Sequence, residues 1–221
     1  MHLENFSFDE DKQKNIIDIL KLKGMGKEMP MLSLPFLDWF NSFDFKEFNF
    51  LEFGSGYSTI YFSKIVKSVT SYETDEDFYK FMLNKNLKSI DYKLIDTKKI
   101  ILGEFDMPTE KKLIVLIDCD FNRYHVCKNI LIKSNPEIII LDNSEWYPEA
   151  CSILYEKEYN EIPFWGIRPE ENYEKCTSVF LKKDFLLPKK NINFFSQGAK
   201  ITKAPNETIP ADILAIVLNN S

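Results

Sequence analysis

An α/β fold, with a doubly wound and mostly parallel sheet covered by helices on both faces, is predicted by three observations. Apolar runs such as Leu113-Ile114-Val115-Leu116-Ile117 and Ile138-Ile139-Ile140-Leu141 recur between stretches of helical periodicity. A strand that is apolar at every position is buried on both faces, which is the condition of a parallel sheet sandwiched by helices. A glycine turn, Gly54-Ser55-Gly56, joins one such strand to a helix, and carboxylates stand at or next to strand ends at Glu73, Asp118 and Asp142, with Glu52 just before its turn. Ligands of open α/β sheets bind beyond those carboxyl ends.

In chain order, residues 9–23 place Ile16, Ile17, Ile19, Leu20 and Leu22 at helical spacing behind an acidic first turn, which predicts an amphipathic helix ending at Gly24-Met25-Gly26. A second short helix begins at Ser33, with Pro35 in its first turn and Phe36, Leu37, Trp39 and Phe40 for packing. Phe48 to Phe53 is the opening strand, and the helix after the glycines runs through Ile60, Tyr61, Phe62, Ile65 and Val66. Ser68 to Glu73 is a β-branched second strand, and Thr74 is placed to cap a helix whose first turn holds Asp75, Glu76 and Asp77. Tyr92 to Ile95 is a weaker strand, followed by a loop around Gly103 and Pro108. Leu113 to Asp118, a helix from about Asn122 to Ile132, and Glu137 to Asp142 repeat the pattern. Residues 148–157 read as helix, and 159–166 and 177–182 as strands.

The 221 residues are expected to form a single domain, with a helical lead-in over 1–45, a core over 46–182 and a C-terminal extension over 183–221. A hydrophobic content of 44% with 19 Phe predicts a bulky aromatic core. The formal charge of -6 disfavours a nucleic-acid partner, because that binding rests on clustered Lys and Arg; the six Lys from Lys182 onward read as a solvated tail. Cys119, Cys127, Cys151 and Cys176 show no CxxC spacing and the start of the chain lacks a secretory pattern, so a reducing cytoplasm is expected. With His2 and His125 as the only histidines, a zinc site is disfavoured. No apolar run reaches the length of about 20 residues that a membrane helix needs.

A strand ending in Glu52-Phe53-Gly54-Ser55-Gly56, with Glu73 at the end of the next strand, suits a nucleoside ligand. The glycines admit the ligand to the backbone, and a carboxylate can accept from two vicinal ribose hydroxyls. No Lys-Ser/Thr follows the glycines, against a phosphate loop. Thr59 replaces the third glycine of a dinucleotide fingerprint and would crowd helix against strand, against a nicotinamide-dependent oxidoreductase.

The stretch Leu51-Glu52-Phe53-Gly54-Ser55-Gly56-Tyr57-Ser58-Thr59, with Ser71-Tyr72-Glu73-Thr74-Asp75 after it, resembles motif I and the following acidic motif of class I S-adenosylmethionine-dependent methyltransferases. It most resembles the branch whose turn reads Glu-x-Gly-Ser-Gly-x-Ser-Thr. Met29-Pro30-Met31, the Trp39 helix and Cys176 to Leu181 are similar to that branch's lead-in and last strand. The resemblance implies a seven-stranded sheet with its last strand antiparallel. It also implies a cofactor site in which Gly54, Ser55 and Gly56 flank the methionine part of S-adenosylmethionine, Ser58 or Thr59 lies near its carboxylate, Glu73 holds the ribose, Thr74 lies beside the adenine and Asp96 approaches the adenine amino group, with Glu52 counted among the cofactor-binding residues.

Asp118-Cys119-Asp120-Phe121-Asn122-Arg123-Tyr124 and Asp142-Asn143 are similar to segments of catechol-type O-methyltransferases in which three oxygens hold Mg²⁺. Here Phe121 stands where those enzymes place a lysine, so Mg²⁺ is open but not favoured, and Asp118 and Asp142 are the expected catalytic carboxylates. Asp118 or Asp120 could take an acceptor proton, with His125 a weaker candidate. Arg123 can anchor an anionic acceptor or pair with Asp120 or Glu145. Trp146-Tyr147-Pro148 and the loop from Trp165 to Tyr173 are the expected acceptor wall. The expected activity is methyl transfer to oxygen of a small molecule; a sugar or glycan precursor follows from the resemblance alone. A catalytically silent cofactor-binding or assembly protein, supported by Phe121, is the alternative.

Overall fold

The computed structural model describes residues 29–85, 90–108, 111–119, 122–169, 171 and 173–189. The expected helix over 9–23, the extension from residue 190, Asp120 and Phe121 lie outside these residues. Seven strands form one sheet: β1 (Asn49–Phe53), β2 (Ser68–Glu73), β3 (Ile90–Leu94), β4 (Leu113–Ile117), β5 (Ile138–Asp142), β6 (Tyr159–Ile167) and β7 (Glu174–Lys182). Their spatial order is β3-β2-β1-β4-β5-β7-β6. The pairs β3/β2, β2/β1, β1/β4 and β4/β5 are parallel, and β7 runs antiparallel to both neighbours. The strand order reverses between β1 and β4, opening a crevice at their carboxyl ends.

The helices are α1 (Leu34–Asn41), α2 (Tyr57–Phe62), α3 (Glu76–Leu83), α4 (Thr97–Leu102), α5 (Arg123–Lys133) and α6 (Pro148–Glu156), with a 3-10 turn at Ser144–Trp146. The pleat explains why β4 and β5 are apolar throughout. Ile114, Leu116, Ile138 and Ile140 pack with Phe36, Phe40 and Phe62 of α1 and α2 on one face. Val115, Ile117, Ile139 and Leu141 pack with Ile100, Val126, Ile130 and Leu154 of α4, α5 and α6 on the other. Each fully buried side chain of this kind contributes about 1.5–3 kcal/mol relative to exposure. The phenylalanine-rich composition concentrates on the first face, where the rings of Phe36, Phe40, Phe45, Phe50 and Phe62 lie 4.4 to 6.5 Å from their neighbours.

Three local expectations are corrected. The loop expected around Gly103 contains α4, because Asp96 caps it by accepting from Lys98 N–H and Gly103 ends it in the left-handed conformation at φ 74°. Asp75, not Thr74, caps α3, accepting the Phe78 N–H at 2.7 Å. The helix after the glycines stops at Phe62 instead of running to Val66. Beyond β7 the chain continues to Lys189, which bridges to Phe43.

Candidate functional site

The turn between β1 and α2 is built around two constraints. Gly54 has φ 99°, and a Cβ there would lie 2.5 Å from the Asp118 backbone oxygen, so the turn and the end of β4 approach more closely than any side chain allows. Gly56 is different: its backbone is extended and an added Cβ would meet only Ser58 Oγ at 3.6 Å. Beneath the turn lies Glu52, which is fully buried. Its Oε1 accepts from Ser58 Oγ at 2.5 Å, and its Oε2 accepts from Thr59 Oγ1 at 2.5 Å and Ser71 Oγ at 2.7 Å. Thr59 Oγ1 also accepts the Gly56 N–H at 2.8 Å, and Ser55 and Ser71 share a hydroxyl contact of 2.8 Å. Glu52 therefore ties both sides of the turn to β2. Burial pushes its carboxyl up to about 7, against the pull of the three hydroxyls, with the charge of Glu73 adding to the rise.

Above the turn a cleft of about 570 Å³ opens at the carboxyl ends of β1, β2 and β4, lined by Gly54, Ser55, Glu73, Thr74, Asp118 and Cys119. Glu73 Oε2 accepts the Ser55 N–H at 3.0 Å, and its Oε1 accepts the N–H groups of Thr74 at 2.7 Å and Asp75 at 2.9 Å. Phe78 and Phe81 from α3 and Ile100 from α4 supply an apolar side to the same cleft. Sequence reasoning missed these three. The sequence held only a partial signal, two aromatic residues three apart in a helix directly after a strand-end acid; that they face the cleft is a tertiary feature.

At the ends of β4 and β5, Asp118 and Asp142 are held by two arginines. Arg123 donates from Nη2 to Asp118 Oδ1 at 3.1 Å, from Nε to the Cys119 carbonyl at 2.9 Å, and from Nη1 to the Asp142 carbonyl, while its guanidinium lies over the Tyr147 ring at 4.8 Å. Arg168, from the segment after β6, donates to Asp142 Oδ2 at 2.5 Å, and Thr177 Oγ1 donates to Asp142 Oδ1 at 2.7 Å. Burial raises the pKa of both carboxyls. For Asp118 the charge of Asp142 adds to the rise and Arg123 opposes it; for Asp142 the chief opposing influence is Arg168.

The expected site residues thus divide. Gly54, Ser55, Glu73, Thr74 and Asp118 meet at the cleft. Glu52, Ser58 and Thr59, expected beside the ligand, are buried under the turn and bonded to one another. Asp96 caps α4, with its side chain on Lys98 N–H, outside this cleft. Asp142, expected as a catalytic carboxylate, is fully buried, with both oxygens engaged by Arg168 and Thr177. Arg123 pairs with Asp118, while Glu145 accepts the Cys176 N–H; Asp120, the other expected partner of Arg123, lies outside the described residues. His125 lies within α5, edge-on to Tyr124. A Mg²⁺ ion drawing on Asp118, Asp142 and Asn143 would have to displace Arg168 and Thr177 from a carboxylate that water does not reach, so this donor set does not fit the ion.

No protein-family model matches the sequence, and no similar protein is found among curated sequences. Solved structures are similar in fold. An O-methyltransferase from Bacillus cereus in complex with SAH matches at TM-score 0.52 and 15% identity, over 80% of this chain and 93% of that one. The 23S rRNA methyltransferase ErmE matches at 0.51 and 14%, over 81% and 70%. A precorrin-6y C5,15-methyltransferase from Geobacter metallireducens matches at 0.50 and 11%, over 62% and 81%. With the strand order above, these likenesses show the fold of class I S-adenosylmethionine-dependent methyltransferases.

Proposed function

We propose that this protein is an S-adenosylmethionine-dependent methyltransferase that acts on an oxygen of a small-molecule acceptor. The observation that carries the reading is the cleft itself: bare backbone at Gly54 and Ser55, the Glu73 carboxylate, the Phe78 and Phe81 rings and the Asp118 carboxylate all face one space. A nucleoside with a charged tail needs that set, namely a ring surface, an acceptor for vicinal hydroxyls and exposed peptide groups. S-adenosylmethionine bound there supplies a methyl group on a sulfonium, which passes to the acceptor oxygen as the carbon–sulfur bond breaks.

Glu73 has about four lone-pair sites, three of them filled by the N–H groups of Ser55, Thr74 and Asp75. Accepting two ribose hydroxyls requires one of these to be released. The Ser55 N–H is the one across the turn, so binding frees it toward the ligand. Asp118 receives the proton that leaves the acceptor hydroxyl, and its raised pKa makes it a stronger base than an exposed aspartate. Arg123 holds one of its oxygens and fixes its direction. The -6 formal charge supports a small acceptor over RNA.

Calorimetric titration with S-adenosylmethionine, with NAD⁺ as control, tests the reading. Saturable binding with silence toward NAD⁺ is expected, and no binding of S-adenosylmethionine refutes it. Turnover against hydroxylated acceptors then separates an enzyme from a protein that only binds the cofactor.

A further inference from the structure

β7 carries an unusual lysine near its start, beyond the carboxyl end of β5. Lys175 is only 9% exposed, a degree of burial that lysines rarely show unless paired, yet among the described residues it has no ion pair. Its ammonium instead lies 3.5 Å from the centroid of the Trp146 ring and 5.0 Å from that of Tyr173. Both rings are well exposed, Trp146 at 60% and Tyr173 at 50%.

Among the described residues, three acids at this end of the sheet are directed elsewhere. Glu145 accepts from Cys176 N–H, Glu171 accepts from the Tyr173 hydroxyl and faces Arg168, and Asp142 is bonded to Arg168 and Thr177. Two aromatic faces and a stem-buried ammonium that no oxygen of the described residues engages leave one positive charge unneutralised by them between flat apolar surfaces.

Register places this group at the cleft end of the sheet. Thr177 is opposite Asp142, and Lys175, two residues before Thr177 in the antiparallel β7, lies on the same face and about 7 Å past the carboxyl end of β5. Trp146 closes the 3-10 turn that follows β5, its backbone N–H donating to the Asn143 carbonyl at 2.9 Å. Lys175 pairs with Gly166, where an added Cβ would overlap Pro35 at 2.5 Å, so β6 presents no side chain against it. Arg168 is pinned on buried Asp142, and Glu171 faces it while accepting from the Tyr173 hydroxyl.

We infer that Lys175, between the rings of Trp146 and Tyr173, is an acceptor subsite that binds the negatively charged group of a ring-bearing acceptor. The word acceptor rests on the methyltransferase reading; the binding of an anion on a flat ring does not.

Ligand-observed NMR titration of the full chain with benzoate and its neutral counterpart benzamide tests the subsite. Benzoate is expected to bind at least tenfold more tightly than benzamide. Lys175→Met, which keeps the apolar stem, should reduce benzoate to the level of benzamide, and Lys175→Arg should retain the preference. Trp146→Leu, at an exposed ring, should weaken benzoate at least fivefold. Equal binding of the two ligands by the wild type, a preference retained in Lys175→Met, or unchanged benzoate affinity in Trp146→Leu would each overturn the inference. S-adenosylmethionine is titrated into the same samples. If it binds while the benzoate preference is missing, the subsite alone falls; if it is silent while the preference holds, the methyltransferase reading alone falls.

Discussion

Glu52 makes the stability of the fold decrease as pH rises through the weakly acidic range. An ordinary glutamate titrates near 4.5, and burial under the glycine turn pushes Glu52 up to about 7. Below pH 4.5 the folded and unfolded chains both hold the proton, and the group has no effect on the balance. Between 4.5 and 7 the unfolded chain releases the proton while the folded one keeps it, so unfolding is progressively favoured; above 7 both are ionised and the loss is complete. At about 1.4 kcal/mol per pH unit the full loss is about 3 kcal/mol. Glu52→Gln removes the titration with little change in contacts. Oε2 accepts from two hydroxyls, so the amide oxygen takes that place and the NH₂ turns toward Ser58, whose hydroxyl can rotate to accept. Urea unfolding followed by far-ultraviolet circular dichroism from pH 4.5 to 8, for both proteins, isolates the effect as their difference. The wild type should lose about 3 kcal/mol relative to Glu52→Gln across that range. A difference that does not change with pH, or one of opposite sign, refutes the assignment of Glu52 as a buried carboxyl titrating near neutrality.

Gly54→Ala should destabilise the fold by about 2–5 kcal/mol in urea unfolding, since it adds positive-φ strain to an overlap with the Asp118 carbonyl. Gly56→Ala should leave stability within about 1 kcal/mol and serves as its control. Glu73→Ala should weaken S-adenosylmethionine binding by about 1–3 kcal/mol in calorimetry, with unchanged affinity contradicting its place at the ribose. The rate of methyl transfer should rise with pH as Asp118 ionises, above the range of an ordinary aspartate, and Asp118→Asn should remove that rising limb from the pH–rate profile. Incubation with EDTA should leave turnover unchanged, because Asp142 is held by Arg168 and Thr177; loss on chelation with recovery on adding Mg²⁺ would show that these contacts open.

What the sequence determined by itself is local or periodic. The unbroken apolar runs of β4 and β5 can be satisfied only in a sheet covered on both sides, so the α/β class was legible before any contact was known. Gly54 before a helix and Glu73 at a strand end were legible for the same reason, since turn chemistry and strand ends are properties of a few consecutive residues. The antiparallel last strand came from resemblance, not from periodicity. The direction of Glu52 was not legible: β1 is buried on both faces, so its pattern carries no alternation to say which face the carboxylate takes. Only the pleat, which puts Glu52 on the side of Phe50 and the three hydroxyls, turned an expected ligand contact into the support of the turn. Asp142 looked equivalent to Asp118 because both end apolar strands, yet Arg168 and Thr177 arrive from the segment after β6 and from β7, some 26 and 35 residues later, and close it off from the cleft. Phe78, Phe81 and Lys175 acquired their places in the same way. Which residues end a strand is written in the chain locally, but which of them face a common space depends on partners brought from distant elements, and the tertiary structure alone decides that.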